Sequence, residues 1–366
     1  MTGIIVHEWI ERFGGAERVA DCVGALYPDA PITTLWSDAE PGRFAPGRVR
    51  ESWMARTPLR SHKALALPLM PPTWRNLGRA DAEWVLVFSH LFAHHARFAG
   101  PARDARRLVY CYTPARYIWE PGHDERGRGL GQRLAGPGLR ALDRRRAAEP
   151  DDIAVVSNFV RERVERFWGR DARVINPPVD VAAFAERGDG GLSAADDAVL
   201  EALPSSFLFG ASRFVMYKRL DLVIRAGIAA DLPVVLAGDG PERPALEALA
   251  AEHPGRVTFV GRPSDALLRN LYARATAYVF PAVEDFGIMP LEAMAAGAPV
   301  IAPRIGGGSE TVVDGVTGAL IDDFTGAEVR EALTRVDGLD RQAMTARALE
   351  FDSSVFDRRM REWIEQ

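Results

Sequence analysis

The protein has 366 residues, with 45 basic and 50 acidic side chains and a formal net charge of −5. This length predicts about two domains of roughly 100–200 residues each, and the hydrophobic fraction of 47% excludes a disordered chain. The negative charge argues against a dedicated DNA-binding protein. The lack of a signal-peptide pattern and of any apolar run of about 18 residues predicts a cytoplasmic protein.

Short apolar runs alternate with helix-length amphipathic segments along the first half of the chain. The runs that predict buried strands are 3–7, 32–36, 84–89, 107–112 and 153–157. Helical spacing is found at 15–27 and 158–168. This alternation is typical of an α/β fold whose parallel strands are joined by right-handed crossovers.

The second half repeats this alternation after a segment that breaks regular structure. Its predicted strands are 206–211, 233–238, 256–260, 276–280, 299–302 and 317–321. Its predicted helices are 218–230, 241–253, 264–274, 290–297 and 308–314. Two prolines close the segment 173–178, and a Gly/Asp/Ala-rich stretch follows, so a domain boundary is predicted there. The predicted domains are 1–180 and 181–345, followed by a C-terminal helical segment, 346–366.

The stretch 280–318 carries two glutamates that follow a predicted strand. Glu284 lies in the loop after that strand, and Glu292 follows near the start of a helix whose first turn accommodates Pro290. The loop between them offers free backbone N–H groups at a helix N-terminus, which favours phosphate binding. Ligands of parallel α/β sheets bind at this end of the strands. An isolated glutamate pair could instead cap a helix.

Two cations follow another predicted strand at 206–211. Arg213 offers planar forked donors and Lys218 offers a compact charge, so together they can neutralise a diphosphate. A solvated basic loop is the alternative. The chain contains 43 arginines and only two lysines, Lys63 and Lys218, so a lysine that merely faced solvent would be unexpected here.

These segments together resemble a known enzyme family. The sequences SRFVMYKRLD, AGDGPE and EDFGIMPLEAMAAG resemble family-4 retaining glycosyltransferases, in which two glutamates are spaced as Glu284 and Glu292 are. The segments GGAERV, SHLFAHH and YCYTPARYIWE resemble the bacterial subgroup of O-antigen-type mannosyltransferases. The resemblance implies the GT-B fold: two Rossmann-like, doubly wound parallel-sheet domains with a cleft between them. The N-terminal domain would bind the acceptor and the C-terminal domain the donor, and a C-terminal helix would cross back onto the N-terminal domain.

The resemblance also implies roles for individual residues. Arg213 and Lys218 would bind the donor diphosphate, Glu284 the transferred sugar and Glu292 the ribose. The remaining donor-binding residues that it implies are Gly14, Gly15, Gly261, Arg262, Phe286, Gly287, Ile288 and Met289.

In the first half, the resemblance adds residues on the acceptor side. His90 would approach the reacting sugar, although a structural histidine is an equal alternative. His94 stands where the family often carries lysine, and Tyr112 stands where histidine is commoner, so no role follows for them or for His95.

The implied reaction is retaining transfer of a hexose, with mannose from GDP-mannose as the first choice, to a glycan or lipid-linked oligosaccharide. UDP-N-acetylglucosamine or another nucleotide hexose is the rival donor, and a nucleotide-sugar epimerase on the same fold is the alternative from another class. Neither a metal nor a further cofactor is expected, because the chain lacks the paired acidic DxD motif that holds a divalent ion on the diphosphate. We expect no nucleic-acid partner.

The arginine-rich run 126–146 is the remaining feature. Its members are Arg126, Arg128, Arg133, Arg140, Arg144, Arg145 and Arg146. Such a run can contact anionic lipid at the inner face of a membrane, and a solvated arginine-rich helix is the alternative.

Overall fold

The computed structural model describes residues 2–12, 14–120, 130–185 and 191–366, and for residues 117 and 130–135 it describes the backbone alone. The chain forms two compact units. The first unit comprises Met1–Pro178 and Phe356–Gln366, and the second unit comprises Val179–Val355. The chain therefore returns to the first unit at Phe356, and residues 346–355 remain with the second.

A seven-stranded sheet forms the centre of the first unit. Its strands are β1 (Gly3–His7), β2 (Ile32–Thr34), β3 (Val49–Glu51), β4 (Trp84–Ser89), β5 (Arg106–Cys111), β6 (Asp152–Val155) and β7 (Arg173–Val174). The order across the sheet is β3-β2-β1-β4-β5-β6-β7, and each of these pairings is parallel. Strand β4 is buried along its whole length, which explains its continuous apolar sequence.

Helices of very different length connect these strands. They are α1 (Gly15–Leu26), α2 (Lys63–Ala66), α3 (Met70–Trp74), α4 (Arg116–Trp119), α5 (Leu130–Ala147) and α6 (Asn158–Trp168). Helix α6 shows why the sequence predicts its ends so well. Ser157 accepts a hydrogen bond from the backbone N–H of Val160 at its start, and Gly169 adopts a left-handed conformation at its end.

A six-stranded sheet forms the centre of the second unit. Its strands are β8 (Leu208–Ala211), β9 (Val234–Ala237), β10 (Val257–Phe259), β11 (Ala277–Val279), β12 (Val300–Pro303) and β13 (Gly318–Ile321). The order is β10-β9-β8-β11-β12-β13, again with parallel pairings. The core between this sheet and its helices includes the fully buried Leu208, Leu236 and Val329.

The second unit has nine α-helices of its own among its described residues. They are α7 (Val181–Ala185), α8 (Ala194–Glu201), α9 (Leu220–Ala230), α10 (Arg243–Ala251), α11 (Asp265–Arg274), α12 (Ile288–Ala295), α13 (Gly307–Thr311), α14 (Ala327–Val336) and α15 (Arg341–Leu349), with α16 (Ser353–Ile364) leading back to the first unit. Helix α16 is shared between the units, because the boundary at Val355 and Phe356 falls within it.

Helix α16 buries its apolar face against the first unit. Phe356 packs edge-on against Tyr110, with 6.2 Å between ring centroids. The indole N–H of Trp363 donates a hydrogen bond of 2.9 Å to Asp152. The amphipathic C-terminal segment therefore has the buried partner that its apolar residues require.

The two sheets confirm the prediction of two Rossmann-like domains with doubly wound parallel sheets. The apolar-run criterion does not detect the edge strands β3 and β7, because β3 is largely exposed and β7 has only two residues. Among the described residues, we find no helix that is long and apolar enough to cross a membrane.

Candidate functional site

The strand order of the second unit reverses between β8 and β11, which are neighbours in the sheet. Ligands of open parallel sheets bind outside the carboxyl ends of the strands at such a switch point. The lysine loop (residues 212–219) follows β8, and the glutamate loop (residues 281–287) follows β11. Both loops carry residues that the sequence predicted for the donor site.

Lys218 lies at the end of a 3-10 turn, Met216–Lys218, in the lysine loop. Its Nζ forms an ion pair with Oε1 of Glu284 in the glutamate loop. The side chains are only 11% and 22% exposed, so the charges meet in a partly desolvated position. The next residue, Arg219, has φ of 52°, a left-handed conformation that is costly for a non-glycine residue. The turn into α9 thus positions Lys218 while the backbone of Arg219 is strained.

Arg213 lies at the other end of the lysine loop and is exposed. Its Nη2 donates a hydrogen bond of 3.0 Å to the hydroxyl of Tyr217. The Nζ of Lys218 lies 5.5 Å from the centroid of the Tyr217 ring. Tyr217 therefore contacts both cations and spaces them within one loop, a role that the sequence analysis did not assign.

Gly306 and Gly307 pack closely against the backbone of the glutamate loop. The backbone N–H of Gly307 donates a hydrogen bond of 2.7 Å to the carbonyl of Glu284. A Cβ atom on Gly307 would lie 2.1 Å from the carbonyl oxygen of Asp285. Gly306 has φ of 96°, which also favours glycine. The Gly-rich sequence at the start of α13 thus permits the close approach that positions Glu284.

Helix α12 begins directly after the glutamate loop. Gly287 is its N-cap residue and offers no side chain to the first turn, where Ile288 and Met289 lie. Glu292 is 6% exposed and lies one turn further along the helix. Burial, followed by the charges of Glu284 and Glu292, raises the pKa of Tyr278 well above its usual value. The start of α12, Glu284 and Glu292 therefore lie close to one another.

The loop after β9 packs tightly against the lysine loop. The carbonyl of Asp239 accepts a hydrogen bond of 2.9 Å from the N–H of Phe214. A Cβ atom on Gly238 would lie 1.8 Å from the carbonyl oxygen of Ser212. The glycines of AGDGPE are therefore explained by backbone approach to the loop that carries the cations.

Two further predicted donor residues lie after β10. The carbonyl of Gly261 accepts a hydrogen bond from the N–H of Gly238, and Gly261 has φ of 65°. Arg262, the next residue, is exposed. Gly261 thus connects this loop to the loop after β9, while no contact among the described residues links Arg262 to Lys218 or Glu284.

The first unit has its own switch point, between β1 and β4. There, Trp9 stacks on Trp36 with ring centroids 5.3 Å apart and meets His90 edge-on at 4.6 Å. Lys63, the second lysine of the chain, lies with its Nζ 4.4 Å from the Trp9 ring and 2.5 Å from Oε1 of Glu11. An aromatic and charged cluster thus surrounds the histidine that the sequence predicted for the acceptor side.

The surroundings of His90 keep its imidazole neutral. Burial, followed by electrostatic interaction with His7 and Lys63, lowers the pKa of His90 to about 3. At neutral pH this side chain can therefore donate or accept a hydrogen bond but carries no charge.

A buried carboxylate that the sequence analysis did not identify fixes the segment after His90. Glu8 accepts backbone hydrogen bonds from Leu91, Phe92 and Ala93 at 3.0–3.1 Å and one from the indole of Trp74 at 3.2 Å. Burial raises its pKa, although the N–H groups that it binds act in the opposite direction. An acid directly after a buried strand is the signal that could have revealed it.

Gly14 and Gly15 lie at the start of α1, and Gly14 is its N-cap residue. A Cβ atom on Gly14 would lie 2.0 Å from Oε2 of Glu17, a buried side chain, so a larger residue there would displace that carboxylate. The hydroxyl of Tyr112 donates a hydrogen bond of 2.9 Å to the carbonyl of Ala16. Tyr112 therefore has a structural contact with the same helix.

The arginine-rich run is only partly described. Arg126 and Arg128 lie outside the described residues, as does the side chain of Arg133. Arg140 and Arg144 donate hydrogen bonds to the carbonyls of Ile118 and Phe167, and Arg146 pairs with Glu149. Arg145 is exposed. Three of the run's arginines thus make contacts within the first unit.

The second unit carries the clearest likeness to known proteins. Residues 197–344 match the family described as glycosyl transferases group 1. We call residues 197–344 the group 1 segment. Both loops of the Lys218–Glu284 pair lie within the group 1 segment, together with α12 and the glycines at the start of α13.

Relatives and solved structures extend the likeness beyond the group 1 segment. The GDP-mannose-dependent alpha-(1-6)-phosphatidylinositol monomannoside mannosyltransferase of Mycolicibacterium smegmatis is 32% identical over 224 residues, which cover 56% of this chain and 56% of that protein. The chain spans about half the length of the curated relatives it matches.

Two solved structures share the fold. Sucrose-phosphate synthase from Thermosynechococcus elongatus has a TM-score of 0.72 at 18% identity, covering 100% of this chain and 99% of that one. HepE of Anabaena, solved in complex with UDP and glucose, has a TM-score of 0.66 at 17% identity, with 100% of each chain covered.

Proposed function

We propose that this protein is a retaining glycosyltransferase that moves a hexosyl group from a nucleotide sugar to a glycan or lipid-linked oligosaccharide. The observation that carries the proposal is the Lys218–Glu284 pair, which lies at a sheet switch point and inside the group 1 segment. In the reaction, an acceptor hydroxyl oxygen bonds to the anomeric carbon while the bond from that carbon to the phosphate oxygen breaks. The nucleoside diphosphate leaves and takes the proton of the acceptor hydroxyl.

The cations of the lysine loop stabilise the departing diphosphate. Lys218 supplies a point charge next to the switch point, and Arg213 supplies forked donors from the start of the same loop. The N-terminus of α12 adds backbone N–H groups from Gly287 onward. The positive charges are fixed before the reaction, so the charge that develops on the leaving group meets an environment already oriented for it.

The two glutamates position the donor. Glu284 accepts hydrogen bonds from hydroxyls of the transferred sugar, and Glu292 accepts one from the ribose. In this proposal, a bound diphosphate competes with Glu284 for the ammonium group of Lys218. Release of that ion pair frees the Glu284 carboxylate to bind the sugar.

We propose GDP-mannose as the first donor to test. The proposal is supported by the amino-acid sequence of the EDFGIMPLEA segment and by the 32% identity to a GDP-mannose-dependent mannosyltransferase. A UDP-hexose is the rival, since HepE, which shares the fold, was solved with UDP and glucose.

Thermal shift against a panel of nucleotide sugars tests the donor. A ligand that binds the folded protein raises the melting temperature according to its concentration relative to its dissociation constant. We expect GDP-mannose to raise it more than UDP-glucose or UDP-N-acetylglucosamine do. A larger shift with a UDP-sugar would replace mannose in the proposal and leave the transferase intact.

Incubation of the purified protein with the preferred donor separates transfer from epimerisation. We expect no new nucleotide sugar without an acceptor, and transfer of radiolabel when glycan or lipid-linked acceptors are added. Epimerised nucleotide sugar in the acceptor-free reaction would contradict the proposal. The anomeric configuration of the product, read by NMR, tests retention.

We also propose that the enzyme acts at the inner face of the membrane as a peripheral protein when its acceptor is lipid-linked. Arg144 and Arg145 are the exposed arginines among the described members of the run 126–146. Arg144 donates a hydrogen bond to the carbonyl of Phe167, so Arg145 is the residue to change. Flotation with anionic liposomes should weaken in Arg145→Glu and stay unchanged in Arg262→Glu, which alters an exposed arginine of the second unit. Equal flotation of all three proteins would argue for a merely solvated run.

A further inference from the structure

The first unit contains a buried cluster of three titratable side chains. It consists of His94 and His95, at the end of a 3-10 turn after β4, and Asp143 on α5. The side chains of all three are 0% exposed. Nε2 of His94 lies 3.1 Å from Oδ1 of Asp143, and Nε2 of His95 lies 3.4 Å from the same oxygen. Two imidazoles thus converge on one carboxylate in the protein interior.

We propose that His94, His95 and Asp143 bind a divalent d-block cation, with zinc as the best match. One ligand atom from each of the three residues lies within 4.8 Å of the other two. In a tetrahedral zinc site with bonds of about 2.0–2.1 Å, neighbouring ligand atoms are roughly 3.3 Å apart. The two measured separations lie on either side of that value.

Hydrogen bonding within the cluster supports this assignment. Although His94 Nε2 lies near Oδ1 of Asp143, it makes no hydrogen bond with any described residue, and neither does Nδ1 of His95. A buried ring nitrogen without a hydrogen bond costs free energy, and bonding to a metal removes that cost at the His94 position.

The atoms on the far side of the ligands are held as they are in metal sites. Oδ2 of Asp143 accepts hydrogen bonds from the indole groups of Trp119 and Trp168, at 2.7 and 2.8 Å. Nδ1 of His94 lies 3.1 Å from the hydroxyl of Ser89. Such outer contacts orient ligands and fix the imidazole tautomer. The atoms that remain to face one another are Oδ1 of Asp143 and the Nε2 atoms of His94 and His95.

A proton is the competing explanation. An imidazolium on one histidine would also balance the buried carboxylate, and a buried charge does require a partner. The two explanations differ in stoichiometry, because only the cation appears in an elemental analysis. The cation would join the turn after β4 to α5, so its role would be structural. That role is independent of the proposed transferase activity.

The test is the metal content of the full chain, purified without a histidine tag and measured by inductively coupled plasma mass spectrometry. We expect about one zinc per chain in the wild type and less than about one tenth in Asp143→Asn and His95→Gln. His62→Gln is the matched control, since it removes an exposed histidine, and it should retain the wild-type zinc content.

Two measurements on the wild type keep the proposal falsifiable if a variant does not fold. Refolding with cobalt(II) should give the visible absorption of a tetrahedral cobalt site, and refolding with zinc should give a higher melting temperature than refolding with a chelator. Wild-type protein that contains no zinc and refolds equally well in both conditions would overturn the proposal and favour the proton. Zinc that persists in both folded variants would also overturn it.

Discussion

The ammonium group of Lys218 contacts Oε1 of Glu284, although 66 positions separate the two residues in the chain. The contact joins the loops after β8 and β11, which are neighbours in the sheet. Because each loop starts where a parallel strand ends, the sheet order brings the two charges to one edge. The pair also fixes the lysine in a partly buried position, so that little of its conformational freedom remains to be lost when a diphosphate binds.

Replacement of this lysine should remove most of the transferase activity. In Lys218→Ala we expect turnover to fall about 100-fold or more, the effect usually found when one group that stabilises developing charge is removed. Steady-state transfer assays with the preferred donor measure this. Because the Glu284 carboxylate loses its partner in a partly desolvated position, the melting temperature should fall as well, so turnover is compared well below the melting temperature of the variant.

Lys63→Ala is the matched control, because Lys63 also forms a partly exposed ion pair with a glutamate, in the first unit. It should leave the affinity for the donor nucleotide unchanged. If Lys218→Ala retains wild-type turnover, Lys218 does not belong to the donor site.

A methyl group at Gly307 should disturb the glutamate loop. The new Cβ atom would overlap the carbonyl of Asp285, so the backbone must move and the hydrogen bond from Gly307 to Glu284 must weaken. We expect Gly307→Ala to lose about 1–3 kcal/mol of unfolding free energy, as overpacked sites do. Urea unfolding measures the loss, and the affinity for the donor should fall with it.

Gly138→Ala provides the comparison for this change. Gly138 lies in α5, and no described atom lies within 4 Å of the position that its Cβ would take. Alanine is favoured over glycine within a helix, so stability should stay the same or rise. Equal destabilisation by both substitutions would contradict the close-approach explanation for Gly307.

Acidification should destabilise the fold through His90. Its pKa is lowered from 6.5 to about 3 in the folded protein, so between these values the unfolded chain binds the proton and the folded chain does not. Stability is therefore fully present above pH 6.5 and declines as the pH falls towards 3. One such proton changes the unfolding free energy by about 1.4 kcal/mol per pH unit.

Urea unfolding at a series of pH values measures this dependence. Between pH 6 and 4.5, His90→Gln should show a shallower slope than the wild type, because it removes one of the protons taken up on unfolding. His62→Gln, at an exposed position, should keep the wild-type slope. A slope that is the same in all three proteins would contradict the neutral state of His90.

Chelation should leave the chemical step intact. We expect transfer activity to persist in EDTA, because Arg213, Lys218 and the start of α12 supply the positive charge that a magnesium ion supplies in other transferases. Short incubations of the folded protein, with and without the chelator, measure this.

Add-back of metal separates this prediction from the buried zinc site. Restoration of a lost activity by Mg²⁺ or Mn²⁺ would contradict metal-independent transfer. Restoration by zinc alone, with recovery of the melting temperature, would instead attribute the loss to the cluster of His94, His95 and Asp143.

Much of the fold follows from the sequence because its signals are local. The buried runs 3–7 and 84–89 coincide with β1 and β4, and Ser157 and Gly169 mark the ends of α6. Apolar periodicity and helix caps depend on neighbours a few positions away, so they can be recognised without the fold. The scarcity of lysine likewise indicates Lys218 from the sequence alone.

The tertiary structure alone decided which distant side chains meet. The sequence did not predict that Lys218 pairs with Glu284, that Lys63 packs on Trp9, or that Glu8 binds the backbone after β4. Nor did it assign His94 and His95, whose partner Asp143 lies almost 50 positions away. Strand order determines these contacts, and strand order depends on how whole elements pack, which no local pattern encodes.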